Sequence, residues 1–100
     1  MRFKITRKLP VNELVLMNRL GYHVHRDRHA NAPSYTHRLG GMDYPRFHVY
    51  LERFGEDLIV NLHLDEKRPS YAGSNRHSGQ YDSEQVSQEA LRIQYFIEKL

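Results

Sequence analysis

Two segments of the chain place histidines where they could share one substrate. Arg46–Phe54 and Asp57–Asp65 both alternate apolar and polar residues, with Gly55-Glu56 between them. Glycine at the first central position suits a two-residue type II′ hairpin. That turn pairs Phe54 with Asp57 and sets Phe47, Val49 and Leu51 opposite Leu64, Leu62 and Val60. Turn chemistry and hydrophobic pattern therefore agree on one register. On the polar face the same register sets Arg46 against Asp65, His48 against His63, Tyr50 against Asn61 and Glu52 against Ile59. Opposed side chains have Cβ atoms about 4.5–5.5 Å apart. His48 and His63 so placed could hold one divalent metal, or act as acid and base on a phosphoester. Arg46 could bind a phosphate, and Asp65 could orient an imidazole. The plain alternative is ordinary sheet decoration, a cross-strand His pair beside an Arg–Asp ion pair.

His77 stands in Arg76-His77-Ser78-Gly79, within the stretch 66–81. If that stretch folds over the polar face, three imidazoles with an open position would suit zinc. No cofactor is demanded by these residues; zinc or another divalent metal is the candidate. The 66–81 stretch reads as a long loop, and such loops are usually functional or disordered. A further group is His23-Val24-His25 with Arg26 and Arg28. Its His-hydrophobic-His pattern resembles the metal-binding signature of the HUH endonucleases, which carry it on a strand with a nucleophilic tyrosine on a later helix. Tyr95 would be that tyrosine. Residues 22–33 lack a clean period, however, and read as a basic loop able to contact phosphates.

The elements that must position these residues can be read around them. Residues 2–9 alternate, with Phe3, Ile5 and Leu9 on one face and Arg2, Lys4 and Lys8 on the other, which predicts a half-buried strand. Pro10 ends it and can occupy the first turn of a helix over Val11–Leu20, which Gly21 stops. Leu14, Met17 and Leu20 lie at helical spacing on that helix, which is apolar nearly all round and should be well covered. Ser34–Leu39 is a weak strand before the hairpin. Asp82 with Gln85 forms a capping box for a last helix. On it Val86, Ala90, Ile93, Ile97 and Leu100 make one apolar stripe, and Leu91 and Tyr95 fall opposite. The expectation is one α+β domain over residues 1–100 in the order β-α-β-β-β-α, an antiparallel sheet with both helices packed on one face.

Composition sets outer bounds. A hydrophobic fraction of 39% with 27% charged residues favours a folded domain over a disordered chain. No apolar run approaches the ~20 residues of a membrane span, so no membrane partner is expected. The opening MRFKITRKLPV has no apolar stretch behind its charges, which predicts no secretory leader. Cysteine is absent, which excludes disulfides and thiolate metal sites. A cytoplasmic protein, monomer or weak homodimer, fits these features. Residues 1–38 carry eight Lys/Arg against Glu13 and Asp27, leaving seven against ten in the remainder. Such a basic third can gather into a patch for a polyanion; paired with acidic neighbours, it would be only a solvated strand.

Two resemblances add to this. The order α-β-β-β-α after the first strand is similar to double-stranded-RNA-binding domains and to the HicA toxins, which share that fold and cleave mRNA with a histidine on a strand. Leu20-Gly21-Tyr22 resembles their early Leu-Gly-Phe turn, and Arg76-His77-Ser78-Gly79 a stretch near their third strand. Their Gly-Ser-His motif is absent. Separately, Asn61-Leu62-His63-Leu64-Asp65, Pro69-Ser70-Tyr71 and His77-Ser78-Gly79-Gln80-Tyr81-Asp82 resemble a pattern in small bacterial proteins that implies no activity.

The leading expectation is a small nucleic-acid-binding module with RNA as its partner. Arg2, Lys4, Lys8, Arg26 and Arg28 would contact phosphates, and Tyr22, Tyr35 and Tyr50, where exposed, would stack on bases. The rival is a phosphoesterase or nuclease, His-based or metal-dependent, with His48, His63, Asp65 and His77 as its machinery. A third is an interaction domain that docks through Leu91 and Tyr95.

Overall fold

The computed structural model describes residues 1–67 and 83–100, and the backbone of 79–80. The elements are β1 (Arg2–Ile5), α1 (Glu13–Arg19), β2 (His23–His25), β3 (Ser34–Arg38), β4 (Arg46–Phe54), β5 (Asp57–Asp65), β6 (Gly79–Gln80) and α2 (Glu84–Glu98). The architecture is α+β. An antiparallel sheet runs β1-β5-β4-β3-β2, with β6 joined to β5. The β4–β5 register is the one the turn chemistry dictates, from Phe54 opposite Asp57 to Arg46 opposite Asp65. Gly55 takes a φ of +61°, in the left-handed region that side chains disfavour.

Strand alternation sends Phe47, Val49, Leu58, Val60, Leu62 and Leu64 to one face, where they join Leu16, Met17 and Leu20 of the α1 region and Val86, Ala90, Ile93 and Ile97 of α2 in one apolar cluster. Both helices therefore cover the same face, and among the described residues no helix covers the opposite face of the sheet. Among the described residues no helix is long and apolar enough to cross a membrane.

Several boundaries differ from expectation, each for a local reason. β1 stops at Ile5, which pairs with Leu58, because β5 begins at Asp57 and offers nothing to pair beyond it. Helix α1 starts at Glu13, because the Asn12 side chain accepts from the Val15 amide at 2.9 Å and so caps it. Pro10 lies before that cap rather than in the first turn. Leu14 is 45% exposed; α1 buries Leu16 and Met17 instead, so it is less fully covered than its composition implies. Helix α2 is capped by Ser83, which accepts from the Val86 amide at 3.2 Å; the proposed cap Asp82 lies outside the described residues. His23–His25 is a strand and not a loop, paired with Ser34–Thr36 of β3. Gly79–Gln80, inside the expected loop, pairs with Leu64–Asp65.

One polar clamp ties α2 to the corner after α1. The Tyr22 hydroxyl donates to Glu89 Oε2 at 2.6 Å. Arg92 donates to both Glu89 oxygens at 2.8 Å and to the Leu20 carbonyl at 2.8 Å. Burial, then the adjacent Glu89 carboxylate, pushes the Tyr22 hydroxyl far above its ordinary pKa, so it remains a donor. Gly21, with φ of +96°, makes the turn into β2, and a Cβ there would meet His37 Cε1 at 3.2 Å.

Candidate active site

The face without helices is built by parity. His48 opposes His63 across β4–β5 and Thr36 across β3–β4. Ser34, two residues from Thr36, points the same way, and His25 opposes Ser34 on β2. Arg46 and Asp65 form the next opposed pair along the hairpin. Four strands thus deliver His25, Ser34, Arg46, His48, Tyr50, His63 and Asp65 to one surface.

His48 is the centre of this group and is only 6% exposed. Its Nδ1 lies 2.8 Å from Asp65 Oδ2, and its Nε2 lies 2.7 Å from Ser34 Oγ. Arg46 Nε donates to the same Asp65 oxygen at 3.4 Å. Burial tends to raise the Asp65 pKa, but hydrogen bonds and charge from His48 and Arg46 outweigh it and hold the carboxyl below its ordinary value. An ionised carboxylate only accepts, so Nδ1 of His48 carries the proton. With the second nitrogen unprotonated, Nε2 offers a lone pair to which the Ser34 hydroxyl can donate. The order is hydroxyl, imidazole, carboxylate, the arrangement by which an imidazole takes a proton from a hydroxyl while an acid holds its tautomer.

Aromatic rings pack around this centre. Tyr50 stacks on His48 at 4.5 Å between centroids and 22° between planes, and is itself 43% exposed. His25 meets His48 edge-on at 5.6 Å, and His63 lies 6.4 Å from it. Burial lowers the pKa of His25, assisted by Arg46 and His48, and burial likewise lowers that of His63. Both are therefore neutral at pH 7. A cleft of about 390 Å³ opens beside His63 and Tyr50, with Arg2 and Asn61 also in its wall.

The structure brings His48, His63 and Asp65 together, with Asp65 orienting His48 as the register implied. His77 lies outside the described residues. The metal reading gains nothing from the geometry: both ring nitrogens of His48 have protein partners, and no group of three or more potential ligands is present among the described residues. His23-Val24-His25 does lie on a strand, but Tyr95 is 63% exposed on a helix that covers the opposite face of the sheet. The HUH arrangement is thus not assembled.

Some of the basic residues are answered by acids. Arg2 meets Glu52 at 3.2 Å and Lys4 meets Asp57 at 4.0 Å. Arg38 pairs with Asp43 and Arg53 with Glu13. Lys8 is exposed beyond the end of β1, and Arg26 and Arg28 are exposed on the loop between β2 and β3. That loop follows His25 directly and leads into Ser34; the Arg26 charge acts on Tyr35, a ring of the apolar cluster. Leu91, at 65% exposure, and Tyr95 face outward from α2.

Sequence reasoning did not single out Ser34, and it placed His25 in a metal motif with His23 rather than beside His48. The signal for both was available only through the β2–β3–β4 register, since neither belongs to a motif with His48. Tyr22 and Tyr35, expected as stacking rings, are buried in the apolar cluster, so Tyr50 alone of the three is exposed. Comparison of the chain with protein-family models, with curated proteins and with solved structures finds no match in any of the three.

Proposed function

We propose that this chain is a small hydrolase acting on phosphodiesters, RNA among them, with His48 as its general base. The observation that carries the reading is the hydrogen-bonded series Ser34–His48–Asp65, at 2.7 and 2.8 Å. It leaves an imidazole with fixed tautomer and a lone pair aimed at a hydroxyl, which is what proton abstraction requires. A phosphodiester is favoured because the Arg46 cation stands in the same array.

A second reading, an RNA-binding module, is favoured by one observation. Tyr50 is exposed and stacked on His48, as a base-stacking platform on an open sheet face would be. The two separate in one assay. The purified chain is incubated with bis(p-nitrophenyl) phosphate and with a labelled single-stranded RNA, beside His48→Gln. Hydrolysis that disappears in a folded His48→Gln supports the hydrolase. Salt-sensitive RNA binding without turnover, unaffected by His48→Gln and weakened by Tyr50→Ala, supports the module instead.

A further inference from the structure

We infer that Ser34 is the nucleophile of this site, and that phosphodiesters are cleaved by double displacement through a covalent phosphoseryl intermediate. The inference rests on the hydrolase reading above and adds to it the attacking atom and the course of the reaction.

Three observations support it. Ser34 Oγ is the atom that His48 Nε2 touches, so the proton nearest the base belongs to the protein. Asp65 closes the series from the far side of the ring, holding the tautomer in which Nε2 can accept. Finally, burial lowers the pKa of His25 and His63, and among the described residues His48 is the imidazole in contact with the Ser34 hydroxyl, placed both to take its proton and to return it, as a two-step displacement requires. Ser34 is 5% exposed, and the β3–β4 register continued by one residue sets it opposite Tyr50, which is stacked on His48 and 43% exposed.

The chemistry balances as follows. Ser34 Oγ attacks phosphorus as His48 Nε2 takes its proton. The Oγ–P bond forms, the bond from phosphorus to the leaving alcohol oxygen breaks, and that oxygen receives the proton from His48. A water then attacks the phosphoseryl phosphorus and gives a proton to Nε2. The P–Oγ bond breaks, and Oγ takes the proton back. The product is a phosphomonoester, and a 2′-hydroxyl on the substrate plays no part.

The test uses a fluorophosphonate, which transfers its phosphonyl group to an activated serine with loss of fluoride. Intact-mass spectrometry and peptide mapping should find one adduct, on Ser34. Labelling should vanish in Ser34→Ala, and slow by about 10³-fold or more in His48→Gln, in keeping with loss of a base from a unit of this kind. Ser34→Thr, which keeps a hydroxyl on the same carbon, guards against a folding defect and should retain part of the labelling. A DNA strand should be cleaved as readily as the matching RNA. Absence of an adduct, or an adduct that forms equally in His48→Gln, overturns the inference. Hydrolysis that persists in Ser34→Ala but is lost in His48→Gln, or that requires the 2′-hydroxyl, overturns the nucleophile and leaves the hydrolase standing. Hydrolysis indifferent to His48→Gln removes both.

Discussion

Replacing Asp65 by asparagine removes a charge while keeping the side-chain volume, so its effect isolates what the carboxylate does. Asp65 Oδ2 accepts from His48 Nδ1 at 2.8 Å and from Arg46 Nε at 3.4 Å. The side chains involved are 22%, 8% and 15% exposed, which leaves little solvent to compensate. A hydrogen bond to a charged group contributes about 1.5–3 kcal/mol. The longer Arg46 contact adds little, so a loss of about 2 kcal/mol is expected. Arg46 also lies opposite Arg38 across β3–β4, and without Asp65 that like-charge pair is less well compensated. For a domain of this size the melting temperature should fall by about 8–16 °C. The chemistry should respond more sharply. An asparagine amide can donate to Nδ1 and so admit the other tautomer, which places a hydrogen on Nε2 where the lone pair is needed. Loss of the orienting acid in a hydroxyl–imidazole–carboxylate series costs about 10⁴-fold in turnover. Thermal melts followed by circular dichroism, with long-range ¹H–¹⁵N spectra of the His48 ring, read both effects. A melting temperature within two degrees of wild type together with an unchanged His48 tautomer would refute the reasoning.

Other perturbations test separate parts of the structure. Glu89→Gln should destabilise the fold by about 2 kcal/mol, because it weakens a buried acceptor shared by Tyr22 and Arg92 while Arg92 remains partly solvated; the urea midpoint should fall by about 1 M at unchanged slope. Stability should also depend on pH with a defined sign. His25 and His63 have folded pKa values below 6.5 because burial disfavours their charged forms, so below pH 6.5 the unfolded chain binds more protons and stability declines. Asp65, held below 3.8 despite its burial by His48 and Arg46, adds a second decline as the pH falls through that region. Melting temperatures from pH 8 to 3 should show both, and a flat profile between pH 7 and 5 would contradict the first. Arg26→Ala with Arg28→Ala should weaken polyanion binding and reduce its salt dependence, with no change in fluorophosphonate labelling of Ser34.

What could be read from the sequence is what local rules decide. The β4–β5 register was legible because Gly55-Glu56 and the alternation on both sides constrain it independently. The apolar stripe of α2 was legible because fifteen helical residues give its period room to show. β2 has three residues, too few for alternation to be recognised, and its partner β3 lies across an irregular loop. With β2 unread, the opposition of His25 and Ser34 could not be seen. Glu89 was missed because a single carboxylate beside an apolar stripe looks like an exposed flank, and its partner Tyr22 is distant in sequence. The basic third of the chain read as a patch because its acidic partners, Glu52 and Asp57, come from a hairpin far along the chain.

The distribution of those ion pairs bears on what the open face can attract. Arg2, Lys4, Arg38, Arg46 and Arg53 each meet a carboxylate, and exposed pairs of this kind leave little net field beyond their own neighbourhood. Lys8, Arg19, Arg26 and Arg28 are not among these pairs. Of the pairs, the one at Asp65 serves another purpose as well. That carboxylate serves His48 and Arg46 through one oxygen, so it orders the base and the cation together. A phosphoryl group seated there would meet an aligned imidazole and a guanidinium held by the same acid. The sheet contributes the rest of the geometry. Pairing among β2, β3, β4 and β5 fixes the Cα positions of Ser34, His48 and Asp65, which constrains a site more closely than loops of equal length would. The diagonal relation of these three side chains across β3, β4 and β5 is the feature from which the proposed chemistry follows.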